Sequence, residues 1–599
     1  MYFIAARAHT YLATGLFYSK KDRMNLSKPF HKPFHKLFQR QPLAQAVALA
    51  LCSLACVQML ARAQTVPAPN AGQVLRELQV PAPAAPVAAP AQRADSAPLD
   101  ATSGDQTKVL VKSIVITGNQ EIATSELAPL VASLVGSEQT LAQLNAAARR
   151  ITAYYRNRGF AVARALLAAQ DITSGAVTIS VIEGRVSASR VANTSRLPDA
   201  LVESYIGEVK PGDVIRSSQI DRGILLLQDM PGVASSRATL QPGASVGTSE
   251  LLIEVTPAAL LSGSATLDNY GSRYTGEYRL GGNFALASPL GRGDQLSFSA
   301  LTAGSGLSFG RVAYQVPVGS DGLRLGAAYF DTRYRLGREF AALDASGRAN
   351  SASVFAAYPF IRSPARNLSG TVSYERKNLN DRVNSTATTT DKKVGVTSFG
   401  LAGNLQDAWL GGGINNFDLT AVMGNLNIAS PAALAIDAAS AQTNGSYSRV
   451  AYGLSRLQRI NNSTLIAVSL NGQRASKNLD SSEKFILGGP TGVRAYPVGE
   501  ASGDEGFKGT AELRYNYNAN WQLTSFYDFG TVRINKNPFG AAASSSRNLA
   551  GAGFGVNATF NNIQVRAALA WRVDGGLPAS LPANAVKTPV VMVAASIGF

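Results

Sequence analysis

The sequence predicts α+β modules in the first part of the chain and a transmembrane antiparallel β-barrel of roughly sixteen strands in the rest. Three observations predict it. From about residue 260 onward, short runs alternate apolar or aromatic residues with small or polar ones, the period of a strand with one face in lipid and one in a wet lumen. Ahead of that region the element order β-α-α-β-β occurs twice in succession. The chain closes on Ser596-Ile597-Gly598-Phe599, an aromatic end such as the last strand of an outer-membrane barrel carries.

The first residues read as a leader. Lys28, Lys32, Lys36 and Arg40 precede an apolar stretch at 43–60, and Ala61-Arg62-Ala63 forms a small-x-small cleavage site before Gln64. A short amphipathic helix follows at 72–80, with Val74, Leu75 and Leu78 on one face; a helix this short needs a docking site to persist in water. Residues 81–98 are mostly Pro and Ala and read as an extended tether. The first module predicts a strand at 109–117, helices at 124–134 and 141–158, and strands at 161–166 and 176–182. The second predicts a strand at 186–191, helices at 201–206 and 218–228, and strands at 237–240 and 251–255. The expected organisation is leader 1–63, helix and tether 64–108, modules 109–185 and 186–257, and barrel 258–599.

Composition removes whole classes of chemistry. His9, His31, His35, Cys52 and Cys56 all fall in the leader, so the exported chain carries neither residue type. A histidine general base, a cysteine nucleophile and a His/Cys zinc site are excluded with them. No catalytic residue, metal site or cofactor is expected. The formal charge of +17 falls to +9 without the leader and forms no basic stripe with interleaved aromatics, which argues against nucleic acid as a partner. No later segment has the apolar length of a membrane helix, so if the chain sits in outer-membrane lipid, strands must hold it there.

Two motifs near the end of the chain place opposite charges in charge-poor surroundings. Gly488-Gly489-Pro490-Thr491-Gly492-Val493-Arg494-Ala495-Tyr496 reads as a loop, and Phe526-Tyr527-Asp528-Phe529-Gly530 as a strand. Asp528 shares parity with Phe526 and Gly530, which predicts all three in the lumen and Tyr527 and Phe529 in lipid. Arginine suits a lumenal partner role because its planar fork meets a carboxylate with two hydrogen bonds.

With Gly499-Glu500-Ala501, Gly503-Asp504, Met230-Pro231-Gly232-Val233 and the segment from Pro242-Gly243 to Leu251, these motifs make the chain resemble the two-partner secretion transporters, the haemolysin and filamentous-adhesin secretion/activation proteins of the barrel-assembly superfamily. Ala495 departs from that family's usual glycine, and Ala168-Ala169-Gln170-Asp171 lacks a common proline. The resemblance implies POTRA domains for the two modules, a pore-plugging role for the helix, and a loop folded into the lumen with Arg494 on Asp528. It implies an outer-membrane protein with periplasmic POTRA modules, which captures an unfolded exoprotein of adhesin or haemolysin type and secretes it through the barrel. The exposed module edges, with Ala161, Val162, Arg164, Leu166, Arg237 and Leu240, are the candidates for capture by strand addition. An assembly factor for other barrel proteins is the alternative; its relatives usually carry more modules and lack the helix and tether. Two modules are superfluous for a passive porin, and a hydrolase lacks its histidine.

Overall fold

A computed structural model describes residues 68–78, 108–540 and 546–599. The leader with its cleavage site, its histidines and its cysteines, and the Pro/Ala-rich tether, lie outside the described residues.

In the first module, Ala176–Ile182 is the central strand, parallel to Ser113–Thr117 and antiparallel to Arg164–Leu166. Alternation along it turns Val177, Ile179 and Val181 inward. They meet the helix Leu141–Asn157, whose Leu144, Ala148, Ile151 and Tyr155 recur at helical spacing on the buried face. Thr140 and Gln143 form a reciprocal capping box at its start, and Gly159 (φ +91°) ends it.

Three predicted elements of this module differ. The strand expected at 109–117 divides into Lys108–Leu110, paired with Glu138–Thr140, and Ser113–Thr117; between them Val111 drops its side chain into the core. The helix expected at 124–134 runs as α-helix only over Thr124–Leu127 and continues as 3-10 turns, because Pro129 cannot donate to the helical ladder and crowds the preceding turn. The strand expected at 161–166 keeps only Arg164–Leu166. Ala161 and Val162 form a turn, and Val162 packs against the core of the second module, so neither is a strand edge.

The second module repeats the plan. Thr248–Pro257 is central, parallel to Arg185–Asn193 and antiparallel to Val233–Pro242, with helices Asp199–Ile206 and Ser217–Gln228 packed alongside. At the end of the first module, the Glu183 carboxylate accepts the backbone N–H of Gln120 and Glu121 and the Tyr155 hydroxyl. Burial first, and that hydrogen bond next, push the Tyr155 phenol above its ordinary pKa, so it stays a donor.

The remaining residues form a closed barrel of sixteen strands, from Leu261–Asp268 to Val590–Gly598, which pair with each other to complete the ring. All neighbours in the ring are antiparallel, as expected. On Trp521–Arg533, Phe526, Asp528 and Gly530 are buried inside while Tyr527 and Phe529 are 43% and 38% exposed outside. Short turns join strands at the end bearing the modules. At the far end, residues 476–504, between Thr464–Ala475 and Glu505–Asn516, fold into the lumen around the small pair Phe485–Ile486 and Ser502–Gly503.

Candidate functional site: a plugged lumen

The lumenal segment turns sharply at its tip. Gly489 holds φ +113°, and a Cβ on Gly492 would lie 2.0 Å from the Leu487 carbonyl oxygen, so only glycine lets the Val493 N–H reach that carbonyl at 2.8 Å. Gly488 is crowded less tightly, with a Cβ 2.7 Å from the Pro497 carbonyl oxygen. The turn aims Arg494 at the wall. Its Nε and Nη2 donate to the two carboxylate oxygens of Asp528 at 2.8 and 2.9 Å, and its backbone N–H adds a third bond at 3.1 Å. Thr510 donates to the same carboxylate at 2.9 Å, and Arg494 Nη1 reaches Glu512 at 3.2 Å. The guanidinium lies over the Phe526 ring, 3.4 Å from its centroid. Asp528 is fully buried, so this pair is shielded and satisfied on every side.

Apolar contacts seat the rest of the tip. Val493, Ala495 and Tyr496 are buried with Phe526, Val532 and Leu549 in one cluster. The Tyr496 hydroxyl lies 2.7 and 2.9 Å from the carbonyl oxygens of Asp574 and Gly576, tying the tip to the far end of another strand. Gly530 is required on the wall because a Cβ there would lie 2.5 Å from the Phe507 carbonyl oxygen, besides 2.4 Å from the Leu487 side chain.

The base of the segment is strapped by charge. Glu483, fully buried, pairs with Lys377 at 2.7 Å and Arg449 at 2.9 Å; Asp480 pairs with Lys392 at 2.7 Å. Asp504 meets Lys484 at 3.0 Å, and Glu500 meets Arg547 at 2.8 Å while accepting the N–H groups of Ala579 and Ser580. The motif pieces contained Glu500 and Asp504 without revealing these partners. Lys377 carried a usable signal, since its parity with Leu379 sets a charge on the lumenal face of its strand.

The amphipathic helix, Ala71–Leu78, lies inside the barrel against this segment. Its Ala71, Val74 and Leu75 are buried among Tyr334, Leu379, Val396 and Leu426 of the wall and Leu479 of the segment. Burying two such aliphatic side chains stabilises the helix by roughly 3–6 kcal/mol, enough to hold an element that is marginal alone. The Ala71 N–H donates to Asp381 at 2.7 Å, and Arg76 donates to the Lys484 carbonyl at 2.9 Å. A Cβ on Gly72 would meet Ser481 Oγ at 2.3 Å, and one on Gly499 would meet Glu77 at 2.5 Å. Helix and lumenal segment are therefore one packed body.

At the modules, Arg164 and Leu166 lie on an edge strand of the first sheet, where the Ala165 N–H donates to Thr152 Oγ1 at 2.9 Å, and Arg237 and Leu240 on an edge strand of the second. Arg237 is exposed and Leu240 turns towards the core. The sequence did not disclose how the second module meets the barrel: Asp229, just after Ser217–Gln228, forms a two-pronged pair with Arg362 at 2.7 Å for both contacts, and its carbonyl accepts from Arg324 at 2.7 Å.

Residues 247–558, just over half of the chain, match the family model described as haemolysin secretion/activation protein ShlB/FhaC/HecB, and residues 109–184 match a POTRA domain of ShlB type. Among curated proteins, the chain is 30% identical to a heme/hemopexin transporter protein HuxB of Haemophilus influenzae over 78% of this chain and 84% of that one. It is 25% identical to the outer membrane transporter CdiB of Dickeya dadantii over 66% of this chain and 69% of that one. The solved CdiB of Escherichia coli shares the fold with a TM-score of 0.66 at 17% identity, covering 94% of this chain and all of that one. The chain belongs to the haemolysin secretion/activation protein family: it is an outer-membrane transporter of two-partner secretion, with periplasmic POTRA modules and a secreted exoprotein as its partner.

Proposed function

We propose that the helix and the lumenal segment form the closed gate of this transporter, with Arg494 and Asp528 as its latch, and that the module edges capture the client as an added strand. One observation carries the gate: the charge on a loop and the charge on the wall meet as a buried pair with three hydrogen bonds, and the helix packs on the same loop. Removing one member of such a pair costs roughly 3–5 kcal/mol, whereas release of the whole loop into water lets both charges solvate. The latch thus resists partial opening and permits complete withdrawal.

Capture rests on the edges at Arg164, Leu166, Arg237 and Leu240. Strand addition uses main-chain hydrogen bonds and demands little of the client's side chains, which suits a chain caught before folding. The reading assigns the protein no catalytic step. The similarity to a heme/hemopexin transporter supports a client of haem- or hemopexin-related type.

A photo-crosslinking residue at position 164 or 237 tests capture in cells co-expressing a candidate exoprotein partner. Crosslinks are expected from both positions; those at 237 are lost when Ala238→Pro removes an edge donor, and those at 164 when Ala165→Pro breaks the short edge strand. Crosslinks that persist unchanged in both proline variants contradict strand addition.

A further inference from the structure

The outer wall of the barrel is not uniform. On Leu323–Arg335 the exposed Leu325 and Tyr329 mark the lipid face, which places Asp331 and Arg333 on that face nearer the far end. By the same parity, Val354 sets Arg348 outward on Ala345–Arg362, Val372 and Tyr374 set Arg376 outward on Arg366–Val383, and Phe399 and Leu401 set Lys393 outward on Thr388–Asp407. All four cations are exposed. They stand at the end away from the modules: the turn before Leu323 touches the second module, where a Cβ on Gly322 would lie 2.6 Å from Leu226. Across the barrel, the same zone on Ile563–Asp574 shows Leu569, Trp571 and Val573 instead.

Register crowds these charges. Arg333 and Arg348 are direct cross-strand partners, an arrangement of like charges that is unfavourable in itself. Asp331 serves both of them. Arg376 faces Gly395, with Lys393 on the adjacent diagonal. Directly beside Arg376 lies an apolar hollow on the outer face, formed by Val312, Tyr314, Ala327, Ala352 and Val354. The alanines lower its floor between the tyrosines, giving a slot for an alkyl chain beneath a cluster of cations.

We propose that this face binds a phosphorylated glycolipid of the outer leaflet, its phosphates on Arg333, Arg348, Arg376 and Lys393 and an acyl chain in the hollow. The inference rests on the outer-membrane location and on charge complementarity, independently of the gate. Phosphate is the matching anion because each guanidinium offers paired donors to its oxygens.

Native mass spectrometry of the full-length protein in detergent, titrated with lipid A, tests it. R376Q/K393Q is expected to bind lipid A roughly thirtyfold more weakly, the effect of removing two cations near a lipid surface. A352L, which fills the hollow without changing charge, is expected to weaken binding as well. Both positions face outward, and heat-modifiable migration checks the fold; R333Q replaces any variant that fails that check. Unchanged affinity in R376Q/K393Q, equal binding of dephosphorylated lipid A, or equal binding of phosphatidylglycerol overturns the proposal.

Discussion

Ala495, at the tip of the lumenal segment, sits on Gly551 of the barrel wall so closely that a Cβ on Gly551 would lie 2.6 Å from the Ala495 methyl. Where the family resemblance implies glycine in the loop, this chain carries a methyl group there and a glycine opposite. The pair predicts that Gly551→Ala overpacks the contact by about 1–3 kcal/mol and loosens the loop, seen as faster proteolysis within 488–496. Adding Ala495→Gly restores protection. A Gly551→Ala variant as protected as the parent contradicts this seat.

The helix makes a second, separable prediction. Leu75→Asp places a charge among Tyr334, Leu379 and Leu426 and removes a buried leucine, which costs several kcal/mol and undocks the helix. In planar bilayers the variant conducts more than the parent, while Gln73→Ala, which loses only one partly buried bond to Glu77, stays near the parent. Equal conductance in Leu75→Asp and parent contradicts the helix as a barrier.

Asp229 and Arg362 carry a prediction about the mouth. Their side chains are 13% and 6% exposed, so Asp229→Ala leaves a shielded guanidinium with only Asn367 as a side-chain acceptor and costs roughly 3–5 kcal/mol. The second module then moves more freely against the barrel, measurable as a broader distance distribution between spin labels on the two. The double variant Asp229→Ala/Arg362→Leu, which leaves neither charge stranded, lowers thermal stability less than Asp229→Ala alone does; the reverse order contradicts the account.

Much of this architecture is legible in sequence because its cause is local. Strand parity alone separates Asp528, Phe526 and Gly530 from Tyr527 and Phe529, and the recurring β-α-α-β-β order marks two modules whose sheets share one topology. Pro129 carries its own signal, since a proline inside a helical pattern ends the ladder, which apolar periodicity over 124–134 does not register. Ala161 and Val162 misled because a run of alternating residues reads as a strand, whereas Val162 is drawn into the neighbouring module's core. Glu483 with Lys377 was beyond reach for a different reason: 106 residues separate them, and nothing local says which lumenal cation a loop carboxylate will meet. Asp229 with Arg362, 133 residues apart, is the same case.

Secretion by charge-exchanged variants tests the latch most directly. Arg494→Asp and Asp528→Arg are each expected to reduce exported client sharply and expose the loop to protease, because each leaves like charges facing at a site shielded from water. Combined with Glu512→Gln, which removes the carboxylate beside the new Asp, the double exchange recovers both secretion and protection. Single exchanges that secrete at the parental level, or a double exchange no better than either single, would contradict a gate fastened by Arg494 and Asp528.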